Sequence, residues 1–169
     1  EASTHDALTG IANRRLLTER LRDETERANR YSRPLCIVMI DIDRFKQINE
    51  QIGVAMGDSI LLTVAHRLTR LMQPQDTLAR LGGDEFAVLL EGCPPQWAQR
   101  LAQKLLDRVR SVQVPWNGRR LQVSASIGLA MWDEGLGSVA SWTHQADLAC
   151  YEAKRAGRAN VQTSAAEPV

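Results

Sequence analysis

The hydrophobic and polar positions of the chain divide it into helical and extended segments. Residues 35–40 form an uninterrupted apolar run, short and rich in β-branched side chains, which predicts a central strand covered on both faces. Apolar residues at helical spacing predict longer helices elsewhere, and a short polar segment predicts a smaller helix or turn. The longer helices are expected at residues 14–31, 58–71, 96–109 and 139–156, and the short one at 44–51.

Two turns predict β-hairpins. Gly82-Gly83 separates an extended segment at 77–81 from one at 85–90, and Asn117-Gly118 precedes a long alternating segment at 121–131. Because apolar and small or polar residues alternate along 121–131, we expect one buried face and one open face. With residues 35–40 and 114–116, the chain is predicted to form an α+β domain whose mainly antiparallel five-stranded sheet is flanked by helices.

Length and composition limit the domain organisation and the partners. The 169 residues fit one domain with a single core, for which we expect a lead-in from an upstream module at 1–13, the domain at 14–162 and a disordered tail at 163–169. Lys plus Arg number 21 against 20 for Asp plus Glu, which gives no argument for nucleic acid or membrane as a partner.

The cysteines and the lack of long apolar runs indicate the compartment. Cys36, Cys93 and Cys150 are an odd number without C-x-x-C spacing, which argues against a disulfide framework or a zinc site. No apolar run approaches the roughly 20 residues of a membrane helix. We therefore expect a soluble, cytoplasmic domain with free thiols.

Candidate chemistry lies where the predicted strands end. Asp41 follows the central strand, and Asp84 with Glu85 follows the Gly-Gly turn, so Asp41 and Asp84 converge if that strand lies beside the hairpin. Two carboxylates with a nearby backbone carbonyl form the hard-oxygen site that Mg²⁺, or Mn²⁺, prefers when it binds phosphates. Positive charge for a triphosphate would come from Lys46, Lys154 and Arg158. The expected class is phosphoryl or nucleotidyl transfer.

Structural interpretations of the same residues stay open from the pattern alone. Acids in a turn usually face solvent, and either Asp41 or Asp43 is expected to cap the following helix. Asp58 is expected to be an N-cap as well, and Lys154 with Arg158 suits a helix C-terminus, where cations complement the macrodipole. A glycosidase-type acid pair is disfavoured because only 5% of the residues are aromatic, too few to build sugar platforms.

These residues together resemble the GGDEF family, the diguanylate cyclases. The resemblance covers nearly the whole chain, with the motifs in the family's order and spacing. The matching stretches are DALTG with NRR (6–10 and 13–15), DIDRFKQIN (41–49), GD (57–58), RLGGDEF (80–86), SIG (126–128) and ADLACYEAKRAGR (146–158).

The resemblance implies a fold related to nucleotide cyclases and polymerase palms, and condensation of two GTP molecules into cyclic di-GMP and two pyrophosphates. It implies that Asp41 and Asp84 bind Mg²⁺ together with the carbonyl of Ile42. Glu85 would assist catalysis, in metal binding or in activation of the 3′-hydroxyl. Guanine would be read by Asn49 and Asp58, and the β and γ phosphates held by Lys46, Lys154 and Arg158.

The resemblance also implies a homodimer, since one domain carries one GTP and the reaction joins two. An upstream sensory domain, which this chain lacks, would set their encounter. The competing hypothesis is a catalytically silent module that binds GTP or cyclic di-GMP and regulates a neighbouring domain.

The chain departs from the family pattern at the inhibitory product site. The family's Arg-x-x-Asp reads Gln73-Pro74-Gln75-Asp76, so the site lacks its arginine and is predicted to be degenerate. We therefore expect weak or absent product inhibition through it. Val54 replaces a common histidine, Glu50 a common aspartate and Leu81 a common aromatic, and none of these removes an expected metal or guanine contact.

Overall fold

A five-stranded sheet with helices on both faces organises the chain, of which the computed structural model describes residues 3–164. The helices are α1 (Arg14–Tyr31), α2 (Phe45–Ile52), α3 (Val54–Thr69), α4 (Pro95–Arg110) and α5 (Val139–Arg155), with a 3₁₀ turn at Glu134–Leu136. The strands are β1 (Leu35–Ile42), β2 (Thr77–Gly82), β3 (Glu85–Glu91), β4 (Gln113–Trp116), β5 (Arg119–Gln122), β6 (Ala125–Met131) and β7 (Val161–Thr163).

The main sheet has the order β2-β3-β1-β6-β7, with β1 at its centre. All neighbouring pairs are antiparallel except β6 and β7, so the predicted α+β class with a mainly antiparallel sheet of five strands is confirmed. The fifth strand is β7 instead of a strand at 114–116, because β4 and β5 pair only with each other. Thr163 lies in β7, so the expected tail begins too early; residues 165–169 lie outside the described part of the chain.

Alternate residues of β1 enter two different cores. Val38 and Ile40 pack with α2, α3 and α4, whereas Ile37 and Met39 pack with α1 and α5. Each of these four side chains is at most 8% exposed, as expected for a continuous apolar strand covered on both faces. The sheet thus holds the end of β1 rigidly between two helical layers.

The alternating segment at 121–131 is not one strand, contrary to the prediction. β5 ends at Gln122 and β6 begins at Ala125, and β6 is buried on both faces. The small residues expected on an open face lie under α5, which approaches so closely that a Cβ atom on Gly128 would stand 2.1 Å from the Cys150 nitrogen. Small side chains at these positions therefore serve helix packing instead of solvent exposure.

Helix α3 begins one turn earlier than the sequence pattern predicts. Gly53, at φ +92°, is its N-cap, and the Gly57 N–H donates to the Gly53 carbonyl at 3.1 Å. The expectation that Asp58 caps this helix is therefore wrong, since Asp58 already lies in the second turn. Within residues 3–164, no helix is both long enough and apolar enough to cross a membrane.

The segment before α1 is bonded to the hairpin strand β2. The Asn13 side chain caps α1 by accepting the Leu16 N–H at 3.1 Å, and the Ala12 carbonyl accepts the Arg80 N–H at 2.9 Å. Helix α1 ends at Ser32, which takes a left-handed conformation before Arg33-Pro34. Its bounds are those expected from the sequence.

Candidate active site

The end of β1 and the tip of the β2–β3 hairpin lie side by side. Asp41 pairs in register with Glu85 of β3 and with Ser126 of β6. The Asp84 carbonyl accepts the Ile42 N–H at 3.1 Å, which fixes the Gly-Gly turn against the strand end. The structure therefore brings Asp41, Asp84 and Glu85 together, in a place where the backbone is held by ladder hydrogen bonds.

The two aspartates and Lys154 form one electrostatic group. Burial, followed by the negative charge of Asp41, raises the pKa of Asp84 to about 6. Lys154 reaches from the last turn of α5 and makes an ion pair with Asp41. Burial alone lowers the pKa of Lys154, but its hydrogen bond to Asp41 and the charge of Asp41 raise it above the ordinary value. Negative charge is thus concentrated here and only partly compensated.

A cavity of about 260 Å³ opens beside this group. Its polar lining comes from Asp41 and Glu85 on the sheet and from Asp147, Tyr151 and Lys154 on α5. The helical spacing of the last three residues places them on one face, and that face looks onto the sheet edge. Burial raises the pKa of Asp147. The cavity joins strand-end carboxylates to a helix-borne cation, the combination that a phosphate and its metal need.

The oxygen donors suit a hard divalent cation. Within residues 3–164, no three His, Cys, Asp or Glu side chains gather into a group that could hold a metal alone. The predicted donors are the carboxylates of Asp41 and Asp84, which the structure brings together, with the carbonyl of Ile42. Mg²⁺ typically takes one or two carboxylates and completes its shell with water and substrate phosphate oxygens, so this donor set fits it without a full protein cage.

A second cavity, of about 370 Å³, lies on the other side of the hairpin tip. It is lined by Lys46 and Asn49 of α2 together with Gly83 and Asp84 of the turn. The Oδ1 atom of Asn49 is buried and has no hydrogen-bond partner among the described residues. A buried acceptor without a donor is costly, but this oxygen faces the Gly57 backbone of α3, so the Asn49 amide would have to turn before a ligand N–H in the cavity could bond it.

Gly57 makes room for the Asn49 side chain. A Cβ atom on Gly57 would lie 1.7 Å from Asn49 Oδ1, closer than any real contact. The amide therefore rests directly on the backbone of α3, next to the half-buried Asp58. Asn49 lies on α2 and Asp58 on α3, and of these two predicted guanine-reading residues only Asn49 lines the second cavity.

The three predicted phosphate ligands lie in three different cavities, Lys154 in the first, Lys46 in the second and Arg158 in another. Arg158 lines a third cavity, of about 440 Å³, with Asp43, Arg44 and Ser124, and neither of the two cavities already described. It follows α5 in a turn where Arg158 has φ +66° and Ala159 has φ +49°. Left-handed backbone in residues other than glycine costs on the order of 1–2 kcal/mol each, so something must hold this turn.

Asp43 is a residue whose position the sequence pattern did not explain. It caps no helix, because α2 begins after Arg44 without a side-chain cap bond, and the expectation that Asp41 or Asp43 caps α2 is wrong. Its buried carboxylate instead accepts hydrogen bonds from Ser124 at 2.7 Å, from Ser126 at 2.6 Å and from the Ala159 N–H at 3.0 Å.

Arg80 is a second residue that the site prediction missed. Its guanidinium donates to the Gly83 carbonyl at 2.8 and 3.0 Å and pairs with Asp6 at 3.1 Å. Burial alone raises the pKa of Asp6, but hydrogen bonds from Thr9 and the Arg80 charge bring it below the usual value. Local sequence suggested only a turn around Asp6, since the partner lies 74 residues away.

Residues 73–76, predicted from the sequence to be a degenerate inhibitory site, form a turn before β2. Asp76 accepts the Gln73 N–H at 2.9 Å and, more weakly, the Glu91 N–H at 3.4 Å. Burial raises the pKa of Asp76. The carboxylate that the family pattern would offer to a ligand is here engaged with backbone groups.

Fold and site together define a class: an α+β domain that presents acidic and basic groups for a phosphate at the ends of adjacent antiparallel strands. Comparison with known proteins gives the family. The description "Diguanylate cyclase, GGDEF domain" matches residues 3–160, and the chain belongs to this family.

Two curated relatives and one solved structure illustrate the similarity. The chain is 38% identical over 160 residues to "Probable diguanylate cyclase DgcE" of Escherichia coli K12, covering 95% of this chain and 14% of that protein. It is 39% identical over 158 residues to "Diguanylate cyclase TpbB" of Pseudomonas aeruginosa, covering 91% and 36%. The GGDEF domain of DgcB from Caulobacter crescentus, solved with c-di-GMP, superposes with a TM-score of 0.91 at 28% identity and 98% coverage of both chains.

The chain thus spans less than half the length of these curated relatives. Their further segments have no counterpart in the residues compared.

Proposed function

We propose that this domain is a diguanylate cyclase, condensing two GTP molecules into cyclic di-GMP and two pyrophosphates. The observation that carries the proposal is the placement of Asp84 beside Asp41 at adjacent strand ends, with Lys154 in an ion pair on the same group. Nucleotidyl transfer needs negative oxygen donors for a metal and positive charge for a leaving phosphate in one place, and this arrangement supplies both.

Asp41, Asp84 and the Ile42 carbonyl would hold Mg²⁺ or Mn²⁺. When bound there, the metal would supply charge neutralisation at the α-phosphate and lower the pKa of the attacking 3′-hydroxyl. Glu85 lines the same cavity as Asp41 and is exposed, so it would assist the metal or accept the hydroxyl proton. Lys46, Lys154 and Arg158 would contact the β and γ phosphates, Lys154 by exchanging its partner Asp41 for a phosphate oxygen.

Guanine would enter the cavity between the hairpin tip and α2. The unpartnered Asn49 Oδ1 would accept one N–H of the base, and the Asp58 carboxylate would accept from the guanine N1 and N2 hydrogens. Adenine offers no such pair of neighbouring donors. A site built on buried acceptors rejects a base without donors, since the acceptors would stay unpaired.

One domain offers one set of these groups, so the reaction would require a homodimer in which the 3′-hydroxyl of one GTP faces the α-phosphate of the other. An upstream sensory domain would control this encounter, in keeping with the greater length of the relatives. The three cysteines are free thiols, which suits a reducing compartment, and we place the domain in the cytoplasm.

The test is cyclic di-GMP formation from GTP with Mg²⁺, measured across protein concentrations. We expect a rate per domain that rises with concentration, and complete loss in Asp84→Ala. Asp23→Ala removes an exposed carboxylate on α1 and is the matched control, expected to retain wild-type activity. GTP binding without turnover, even in a domain forced to dimerise, would contradict the cyclase proposal and favour a silent regulatory module.

A further inference from the structure

The turn after α5 holds three consecutive residues with positive φ. Gly157 is at +110°, Arg158 at +66° and Ala159 at +49°. The Arg158 N–H donates to the Ala153 carbonyl at 3.0 Å and the Gly157 N–H to the Lys154 carbonyl at 3.3 Å, a Schellman arrangement that closes the helix. That motif explains a left-handed glycine. The Asn160 side chain also holds the turn by donating to the Ala153 and Arg158 carbonyls at 2.7 and 2.9 Å, but neither bond reaches Ala159, and alanine has no polar side chain to bond its own backbone.

Support for Ala159 comes from the end of β1. The Asp43 carboxylate, in a side chain only 8% exposed, accepts the Ala159 N–H at 3.0 Å from 116 residues away. The same carboxylate accepts the hydroxyls of Ser124 and Ser126 from the segment entering β6. A charged acceptor shared among three donors from two separate segments makes a strong and directional joint.

This joint connects the turn that carries Arg158 to the segment that carries Asp41. Asp41 pairs with Lys154, and Asp43, two residues further along, bonds the turn that presents Arg158. The short segment of residues 41–43, at the end of β1 and just beyond it, thus fixes both cationic residues of the α5 end relative to the carboxylates.

We propose that Asp43 is a positioning residue for phosphate binding. It holds Ala159 in the left-handed conformation and so sets the direction in which Arg158 leaves the turn. This inference rests on the proposed function, in which Arg158 contacts the phosphates of GTP. Asp43 itself touches no substrate in this scheme and acts through the turn.

The primary variant is Asp43→Asn, which keeps the shape and removes the charge. We expect KM for GTP, and the dissociation constant of GTP with Mg²⁺, to rise about tenfold, with kcat changed less than about threefold. Hydrogen exchange of the Ala159 amide should accelerate strongly. Because both changes act through Arg158, Asp43→Asn combined with Arg158→Ala should be no weaker for GTP than Arg158→Ala alone.

A rescue separates positioning from general stability. Glycine adopts positive φ without steric cost, so Ala159→Gly should leave the wild type unchanged and restore the KM of Asp43→Asn to within about twofold. Ser126→Ala removes another bond to the same carboxylate but leaves the Ala159 bond, and it should keep its KM for GTP. Failure of the rescue, or additive effects of Asp43→Asn and Arg158→Ala, would overturn the proposal.

A further variant covers the case in which Asp43→Asn does not fold. Ala159→Val puts a β-branched residue at a left-handed position with Asp43 intact, and it should raise KM for GTP in the same way. An unchanged KM in this variant would contradict the proposal. If the wild type neither binds nor converts GTP, the proposed function fails and the role toward phosphate fails with it, while Ala159 amide exchange still judges the Asp43 joint itself.

Discussion

At the scale of single residues, the lack of a side chain on Gly57 allows the Asn49 amide to keep the position that the structure shows. In the wild type the amide oxygen occupies the space that any side chain at position 57 would take. We expect Gly57→Ala to displace Asn49 and weaken GTP binding about tenfold, or about 1.4 kcal/mol. Equilibrium binding of GTP and of ATP measures this, and the preference for GTP should fall.

Thermal unfolding separates this effect from helix stability. Alanine is favoured over glycine inside a helix by about 1 kcal/mol, so Gly57→Ala gains helix propensity while it loses ligand affinity. Ser59→Ala, an exposed change on the same helix, is the control and should preserve GTP affinity. Unchanged GTP affinity in Gly57→Ala would show that Asn49 does not need its present position.

Single residues also show where reasoning from sequence stops. The sequence places Asp41 and Asp84 correctly at strand ends, because apolar runs and a Gly-Gly turn are local signals. It cannot assign Asp43, whose three donors lie at least 81 residues away and become neighbours only in the fold. The sequence does not show the contact between Arg80 and Asp6 for the same reason, since the two residues lie 74 positions apart.

At the scale of elements, α1 and β3 meet through a buried pair of acids. Glu24 of α1 is 5% exposed and Glu91 of β3 is 6% exposed. Burial, then a hydrogen bond and repulsion from Glu24, raises the pKa of Glu91 to about 7, although Arg33 and Arg20 oppose the rise. Arg27 pairs with Glu24 at 3.2 Å. The fold therefore favours a proton on Glu91.

This pair makes stability depend on pH. Because the folded pKa of Glu91 lies above its ordinary value of 4.5, its contribution is fully present below about pH 4.5 and is lost as the pH rises through about 7. The full rise in the pKa of Glu91 corresponds to about 3 kcal/mol of unfolding free energy. Because Glu91 and Glu24 interact, we expect the loss of unfolding free energy to be smaller, about 1–2 kcal/mol.

Denaturant unfolding at pH 5 and pH 8 measures this loss. Glu91→Gln stays neutral and should lose less stability than the wild type across that range, whereas Glu26→Gln, an exposed change on α1, should follow the wild type. Asp84 also has a raised pKa, so the difference between variant and wild type, instead of the wild-type curve alone, is the informative quantity. If Glu91→Gln and the wild type lost the same unfolding free energy between pH 5 and pH 8, the raised pKa of Glu91 would be contradicted.

The elements themselves were largely predictable, and the divided segment at 121–131 is an exception with a physical cause. Helix α1 follows from its apolar stripe and from Arg33-Pro34, and the central strand follows from its apolar run. The sequence does not show that the segment is divided at residues 123–124, nor that β6 is buried on both faces. Ser126 and Gly128 have the polarity of an open face and are buried only when α5 packs on them. The alternation of side chains along residues 121–131 shows only which positions are polar. Helix α5, which covers them, comes from a later part of the chain.

At the scale of the whole molecule, the turn at residues 73–76 bears on control by product. Asp76 is bonded to backbone groups, and no arginine stands at position 73 to clamp a phosphate. We expect Gln73→Arg to raise the affinity for cyclic di-GMP at least about tenfold, because a guanidinium binds phosphate in a bidentate manner. Titration of cyclic di-GMP against the domain measures this.

The double variant Gln73→Arg with Asp76→Ala tests the site directly. It should return to the low affinity of the wild type, whereas Gln75→Arg places the same charge two residues away and should gain little. Micromolar or tighter cyclic di-GMP binding by the wild type, abolished by Asp76→Ala, would refute the prediction of a degenerate site.

The Lys154–Asp41 ion pair has a consequence for how the whole molecule responds to its two ligands. In the absence of ligand, the ammonium of Lys154 neutralises one of the carboxylates that the proposed metal would use, so the metal would compete with the lysine for Asp41. A nucleoside triphosphate would offer Lys154 a different anion and release that carboxylate. Binding of metal and nucleotide would then be reciprocally coupled, each raising the affinity of the other by the same factor. The domain would therefore bind the metal and the nucleotide together more tightly than it binds either of them alone.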